Sequence, residues 1–295
     1  MNEYVSFSAH GFTAKIRMAG AQIASLIDPD GRELIWTADP AVWPQHSTIL
    51  FPICGGIKDG KISFEGVEYA MAKHGFMKYA AFEVSKTGED FMEFVYTAND
   101  ETRAVYPYEF AFYVTYKILE NGYSTTFRVE NKGDKPMPYC VGGHPGYTCP
   151  LEAGATLEDY QIIFEKEESG LHALLDPKGV IIGHEMLEAF PENKVINLCY
   201  AEFDRFDTLL FTELNSRSPK MVHKESGKGL KMDFPGFPAL ALWTMTGKKA
   251  PYLCIEPWIG IPATKEESGA MEDKPYHITL QPGESSEACF TTTIV

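Results

Sequence analysis

The chain is short of positive charge: of 295 residues, 26 are Lys or Arg against 41 Asp or Glu, a formal net charge of −15. A phosphate-binding surface needs clustered cations, so this balance argues against a nucleic-acid partner. No apolar run approaches the ~20 residues of a membrane-spanning helix. The opening Met1-Asn2-Glu3-Tyr4 lacks the basic and apolar regions of a secretory leader, so a cytoplasmic protein with no membrane partner is expected. The six cysteines, Cys54, Cys140, Cys149, Cys199, Cys254 and Cys289, show neither C-x-x-C nor the paired spacing of a zinc site or disulfide framework. They read as reduced, mostly buried thiols that hold no metal.

Helical periodicity is scarce too. What is present is apolar alternation: Lys61 to Tyr69 (KISFEGVEY) reads as two short strands around a Gly turn. Tyr108 to Asn131 carries aromatic and β-branched residues on both sides of Asn121-Gly122, a hairpin signal. Strand-like runs recur at Phe91 to Thr97, Thr208 to Thr212, Leu240 to Thr244 and Cys289 to Val295, separated by Gly, Pro, Asn and Asp clusters. With 44% hydrophobic residues the chain is long enough to close a large core. Many short strands at regular turn spacing predict an all-β sandwich or barrel. No repeat or flexible linker divides it, so residues 1–295 are expected to form a single domain.

Several large enzyme classes lose their motifs. Gly55 to Lys61 (GGIKDGK) satisfies the first seven positions of a phosphate-binding loop, but Ile62 stands where a magnesium-holding hydroxyl belongs, and a strand pattern follows instead of a helix. His184-Glu185 lacks the second histidine of a helical zinc site, and no G-x-S-x-G or G-x-G-x-x-G is present.

Three settings stand out. His144 lies in Val141-Gly142-Gly143-His144-Pro145-Gly146-Tyr147, where flanking glycines allow close backbone approach and Pro145 biases His144 toward extended backbone, a stiff mount at a strand end. A turn histidine without chemistry is the plainer reading of this motif alone. Glu256 lies in the apolar run Tyr252 to Gly260 (YLCIEPWIG), where an unpaired carboxylate is costly to bury; a buried ion pair is the plainer alternative. Trp258 adjoins it, as a platform for a sugar's apolar face or as ordinary core. His74 follows the first hairpin in Lys73-His74-Gly75-Phe76.

In this order, Leu50-Phe51-Pro52, His74-Gly75-Phe76, Gly143-His144-Pro145, Phe206-Asp207 and Ile255-Glu256-Pro257-Trp258 resemble the aldose 1-epimerase (galactose mutarotase-like) family, nearest its LacX-like hexose mutarotase branch. The resemblance runs from Gly20-Ala21 to Gln281-Pro282-Gly283-Glu284. It implies a large antiparallel β-supersandwich with few short helices. It implies an isomerase that interconverts the α and β anomers of an aldohexose such as galactose or glucose, without cofactor, as a monomer or homodimer. The family's acid and base map onto His144 and Glu256, its sugar-positioning histidine onto His74 and its hydroxyl-binding aspartate onto Asp207. An arginine usual in the family after the L-F-P motif is replaced by Gly55-Gly56, which leaves Lys58 or Lys73 to supply that cation.

Anomer exchange opens a hemiacetal: a base takes the O1 proton while an acid protonates ring O5. Glu256 is expected as base and His144 as acid, facing each other across a cleft wide enough for a pyranose, their mutual attraction keeping the carboxylate ionised and the imidazole protonated. Three alternatives stand beside this one. They are a sugar-binding protein without turnover, a hexose-6-phosphate 1-epimerase with Lys58, Lys73 and Lys78 around the phosphate, and a glycoside hydrolase using Glu256 and Asp207.

Overall fold

The computed structural model describes residues 3–188 and 190–295. Strands make up 47% of it and helix 9%, so the all-β class holds, with antiparallel sheets as expected. One sheet has seven strands in the order Ile181–Met186, Leu171–Leu175, Thr208–Phe211, Ala239–Trp243, Tyr252–Ile259, Val141–Thr148 and Ser47–Leu50. The other has nine, in the order Val195–Asn197, Tyr160–Ile163, Lys220–His223, Gly229–Asp233, Ser285–Ile294, Gly122–Asn131, Phe110–Leu119, Phe91–Thr97 and Glu83–Thr87. A three-stranded sheet from Tyr4 to Ile27 and two short strand pairs complete the fold.

The two-residue period of a strand decides what each side chain meets. Along Val141–Thr148, odd positions face the nine-stranded sheet. The Tyr147 hydroxyl lies 3.0 Å from that of Tyr123 and 2.7 Å from Thr292 Oγ1, a buried network that links the sheets and spares three hydroxyls an unmatched desolvation. A Cβ on Gly143 would stand 2.8 Å from the Phe290 ring, so the bare backbone lets that ring sit against the sheet. Even positions, His144 among them, face away from this core. Tyr252–Ile259 behaves likewise: Leu253 and Ile255 join the main apolar cluster, while Tyr252 and Cys254 join a smaller one with Trp36 and Ala250 on the outer face.

The Tyr108 to Asn131 hairpin forms, with one difference. Its two-residue turn is Glu120 and Asn121, and Gly122 is already in the strand, opposite Leu119. The glycine is needed for space: a Cβ there would lie 2.0 Å from the Thr292 carbonyl oxygen of the next strand. In the Lys61–Phe64 and Val67–Ala70 pair, Glu65 and Gly66 both adopt positive φ, the turn the sequence implies.

Candidate active site

His144 sits mid-strand rather than at a strand end. The register that pairs Gly142 with Trp258 and Gly146 with Cys254 sets His144 directly across from Glu256. Its Nε2 is 3.3 Å from Glu256 Oε1. The expected cleft between the two is therefore absent: the two side chains stand side by side on one sheet face, because cross-strand partners on the same face lie only ~4.5–5.5 Å apart at Cβ.

A pocket of about 250 Å³ lies over the pair, lined by both residues and by Lys73, His74, Asp207 and Trp258 among others. Pockets for drug-sized ligands run ~300–1,000 Å³, so this one suits a single sugar ring. Burial drives both members of the pair toward neutrality. The Glu256 carboxyl is pushed well above its ordinary range by desolvation, against the pull of the Lys73 ammonium, and the His144 imidazolium is brought down to about 3 by desolvation. The expected resting state of carboxylate and imidazolium is thus reversed. Among the described residues, Glu256 Oε2 and His144 Nδ1 are buried with no hydrogen-bond partner.

His74 reaches the pocket from a turn held open by left-handed backbone, with φ +68 at His74 and +72 at Gly75. The Phe76 amide donates to the Phe51 carbonyl at 3.1 Å. The Gly55 amide donates to His74 Nδ1 at 3.0 Å. An Nδ1 that accepts leaves the proton on Nε2, and burial, with Lys73, His144 and Lys78 nearby, holds the imidazolium well below its ordinary range. His74 is therefore a neutral Nε2–H donor.

Asp207 follows the short helix Tyr200–Phe206 with φ 60 and ψ −64, a strained γ-turn conformation. Its Oδ1 accepts from Trp243 Nε1 at 3.3 Å and Thr246 Oγ1 at 3.2 Å, and its Oδ2 accepts from Thr208 Oγ1 at 3.1 Å. Three donors fix the carboxylate's plane at the pocket wall.

Of the two lysines, only Lys73 lines the pocket. Lys58 stands on a turn over a separate cleft, its Nζ 3.4 Å from the Lys265 carbonyl, so its expected role is corrected. Lys78 lies over the Tyr79 ring at 5.1 Å. The missing arginine also has a steric cause. A Cβ on Gly56 would lie 2.2 Å from the Lys178 carbonyl oxygen, because the loop at Gly179 closes onto this position and the Gly56 amide donates to the Gly179 carbonyl at 3.1 Å. Gly56→Arg, which restores the usual family residue, is expected to cost about 1–3 kcal/mol of stability in denaturant unfolding.

Trp43 and Trp243 escaped the sequence reading. Trp43 stacks on His144 with ring centroids 5.1 Å apart and an interplanar angle of 27°. Trp243 meets the same imidazole edge-on at 5.5 Å, and both tryptophans are half-buried pocket walls. Trp258 also lines the pocket but is buried, packed edge-to-face with His74. Trp243 carried a signal in its register opposite Cys254, on the face of Glu256; Trp43, on a loop, carried none.

Comparisons with known proteins bear on the family and the fold. The sequence profile described as aldose 1-epimerase matches residues 3–291. The plasmid and chromosomal LacX proteins of Lactococcus lactis subsp. lactis are each 33% identical, over 301 and 304 residues, covering 100% of this chain and 98% of theirs. The structure of a galactose mutarotase related enzyme from Lactobacillus acidophilus superposes with a TM-score of 0.91 at 28% identity, covering 99% of this chain and 97% of that one. A galactose mutarotase-like protein from Lactobacillus casei ATCC 334 gives 0.89 at 26% identity, covering 99% and 100%. With its profile, its relatives and its supersandwich in agreement, the chain belongs to the aldose 1-epimerase family.

Proposed function

We propose that this protein is a hexose mutarotase that opens and recloses the pyranose ring by proton transfer through Glu256 and His144. The observation that carries this reading is the contact of the two residues on the floor of a pocket sized for one sugar ring. Together they hold one labile proton. When a sugar's O1 hydroxyl donates to Glu256, that hydrogen bond and the Lys73 ammonium favour the carboxylate, and the proton moves to His144. Glu256 then takes the O1 proton, C1 becomes a carbonyl as the C1–O5 bond breaks, and His144 protonates O5. The pair is left neutral, the state its burial favours, so the open-chain sugar coincides with the resting proton arrangement. Rotation about C1–C2 and the reverse steps give the other anomer.

His74 donates its Nε2–H to or beside O5, and Asp207 accepts from hydroxyls remote from C1, so both orient the ring. Lys73 takes the place of the absent arginine, which favours turnover over a binding protein without catalysis. Lys73→Met is expected to lower kcat/KM by ~10-fold or more, with part of the loss in kcat because the lysine also acts on Glu256; polarimetry on galactose and glucose reads it.

A single lysine at the pocket gives poor support for a phosphosugar, so glucose is expected to outrun glucose 6-phosphate in the same assay. A hydrolase working through Glu256 and Asp207 would leave the contact of His144 with Glu256 without a role.

A further inference from the structure

We propose that His144, Cys254 and Glu256 form a site for a zinc-like divalent cation, and that such a cation switches the enzyme off. The three residues offer an imidazole nitrogen, a thiol sulfur and a carboxylate oxygen, all buried and all within 4.8 Å of one another. Tetrahedral zinc with bonds of ~2.0–2.1 Å to nitrogen and oxygen sets those atoms roughly 3.3 Å apart. His144 Nε2 and Glu256 Oε1 already stand at 3.3 Å.

The local sequence makes the cluster possible. Cys254 precedes Glu256 by two positions, so both share a strand face, and its cross-strand neighbour is Gly146, whose missing side chain leaves the thiol diagonal to His144. Among the described residues Glu256 Oε2 is buried with no hydrogen-bond partner, so the carboxyl keeps lone pairs unused beside this cluster. The mixed donor set selects a borderline cation such as Zn²⁺ or Cd²⁺ over Mg²⁺ or Ca²⁺, which favour oxygen shells.

The charges balance. A dication beside one thiolate and one carboxylate is neutral overall, so no uncompensated charge is buried. Two protons leave on binding, one from the thiol and one from the single proton held by the His144–Glu256 pair. Three protein ligands leave a fourth position open, and the lone pairs that would shuttle protons are occupied by metal.

The inhibition rests on the proposed mutarotase reading; the binding does not. Cd²⁺ titrated into the chelator-free protein, without sugar, is read by the ultraviolet thiolate-to-cadmium charge-transfer band. One equivalent is expected to saturate the band, Cys254→Ala to abolish it, and Glu256→Gln or His144→Asn, each keeping the thiol, to weaken binding at least ~10-fold. Mutarotation should fall in parallel with saturation, return on adding EDTA, and respond to Cd²⁺ in the wild type but not in Cys254→Ala, each set against its own metal-free rate. No band in the wild type, or a band that survives Cys254→Ala on another cysteine, overturns the site. A Cys254→Ala chain that does not fold leaves the decision to the other two variants, and unweakened binding in both overturns it as well. A band that forms while mutarotation continues overturns the switch. A band in a protein that mutarotates no sugar upholds the site and removes the proposed function instead.

Discussion

Glu256→Gln is expected to lower kcat/KM for mutarotation by ~10²–10⁴-fold while sugar binding largely persists, since the amide keeps the carboxyl's shape and cannot take the O1 proton. His144→Asn should fall in the same range. The double variant should be little slower than either single one, because two residues that move one proton act as a unit. The base assignment fails if Glu256→Gln turns over at the wild-type rate by polarimetry. A second readout carries the opposite sign. Burial raises the Glu256 carboxyl above its ordinary 4.5, so the folded chain holds this proton more tightly than the unfolded one. That contribution to stability is complete below pH ~4.5 and is lost as pH rises through the folded-state value. Glu256→Gln has no such loss, so it should match the wild type in stability near pH 4 and exceed it at neutral pH in denaturant unfolding. A catalyst impaired by misfolding would become less stable, not more.

Gly75→Ala is expected to be the most damaging single methyl group near the site. The residue has φ +72, and an added Cβ would stand 2.0 Å from the Phe51 carbonyl oxygen and 2.5 Å from its carbon, both main-chain atoms that cannot swing aside. Left-handed backbone alone costs an L-residue ~1–2 kcal/mol. With the displacement of Phe51, whose ring contacts Phe112 and Tyr139 in the core, the total should reach about 3 kcal/mol or more. Against a typical stability of ~5–15 kcal/mol, that lowers the denaturant midpoint markedly, and it unseats His74 as well. Gly183→Ala is the control: nothing lies within 4 Å of its added Cβ. If the two variants unfold at the same denaturant concentration, the steric account of Gly75 is wrong.

What was legible in the sequence follows from periodicity. Phe110–Leu119 and Gly122–Asn131 bury alternate residues and declare themselves as strands. Tyr252–Ile259 is buried on both faces, so alternation there separates nothing. Which of its residues look into the core and which into the pocket depends on the neighbouring strands. The candidate site residues came from short motifs and their order along the chain. The choice between Lys58 and Lys73 did not, because it depends on contacts far along the chain: Lys73 lies beside Gly179 at the pocket, and Lys58 reaches the Lys265 carbonyl over another cleft. The charge states of His144 and Glu256 were also misjudged: proximity alone favours an ion pair, and desolvation outweighs it.

The cross-strand position of His144 and Glu256 has a consequence for refolding. Shifting Val141–Thr148 against Tyr252–Ile259 by one residue would send His144 into the sandwich interior and bring Gly143 or Pro145 out in its place. On the proposed mechanism, no partly zipped or misaligned sheet exchanges anomers. The catalytic rate recovered after denaturation therefore counts the chains whose seven-stranded sheet has closed in its native alignment, a distinction that far-ultraviolet circular dichroism, blind to which residues face each other, does not make.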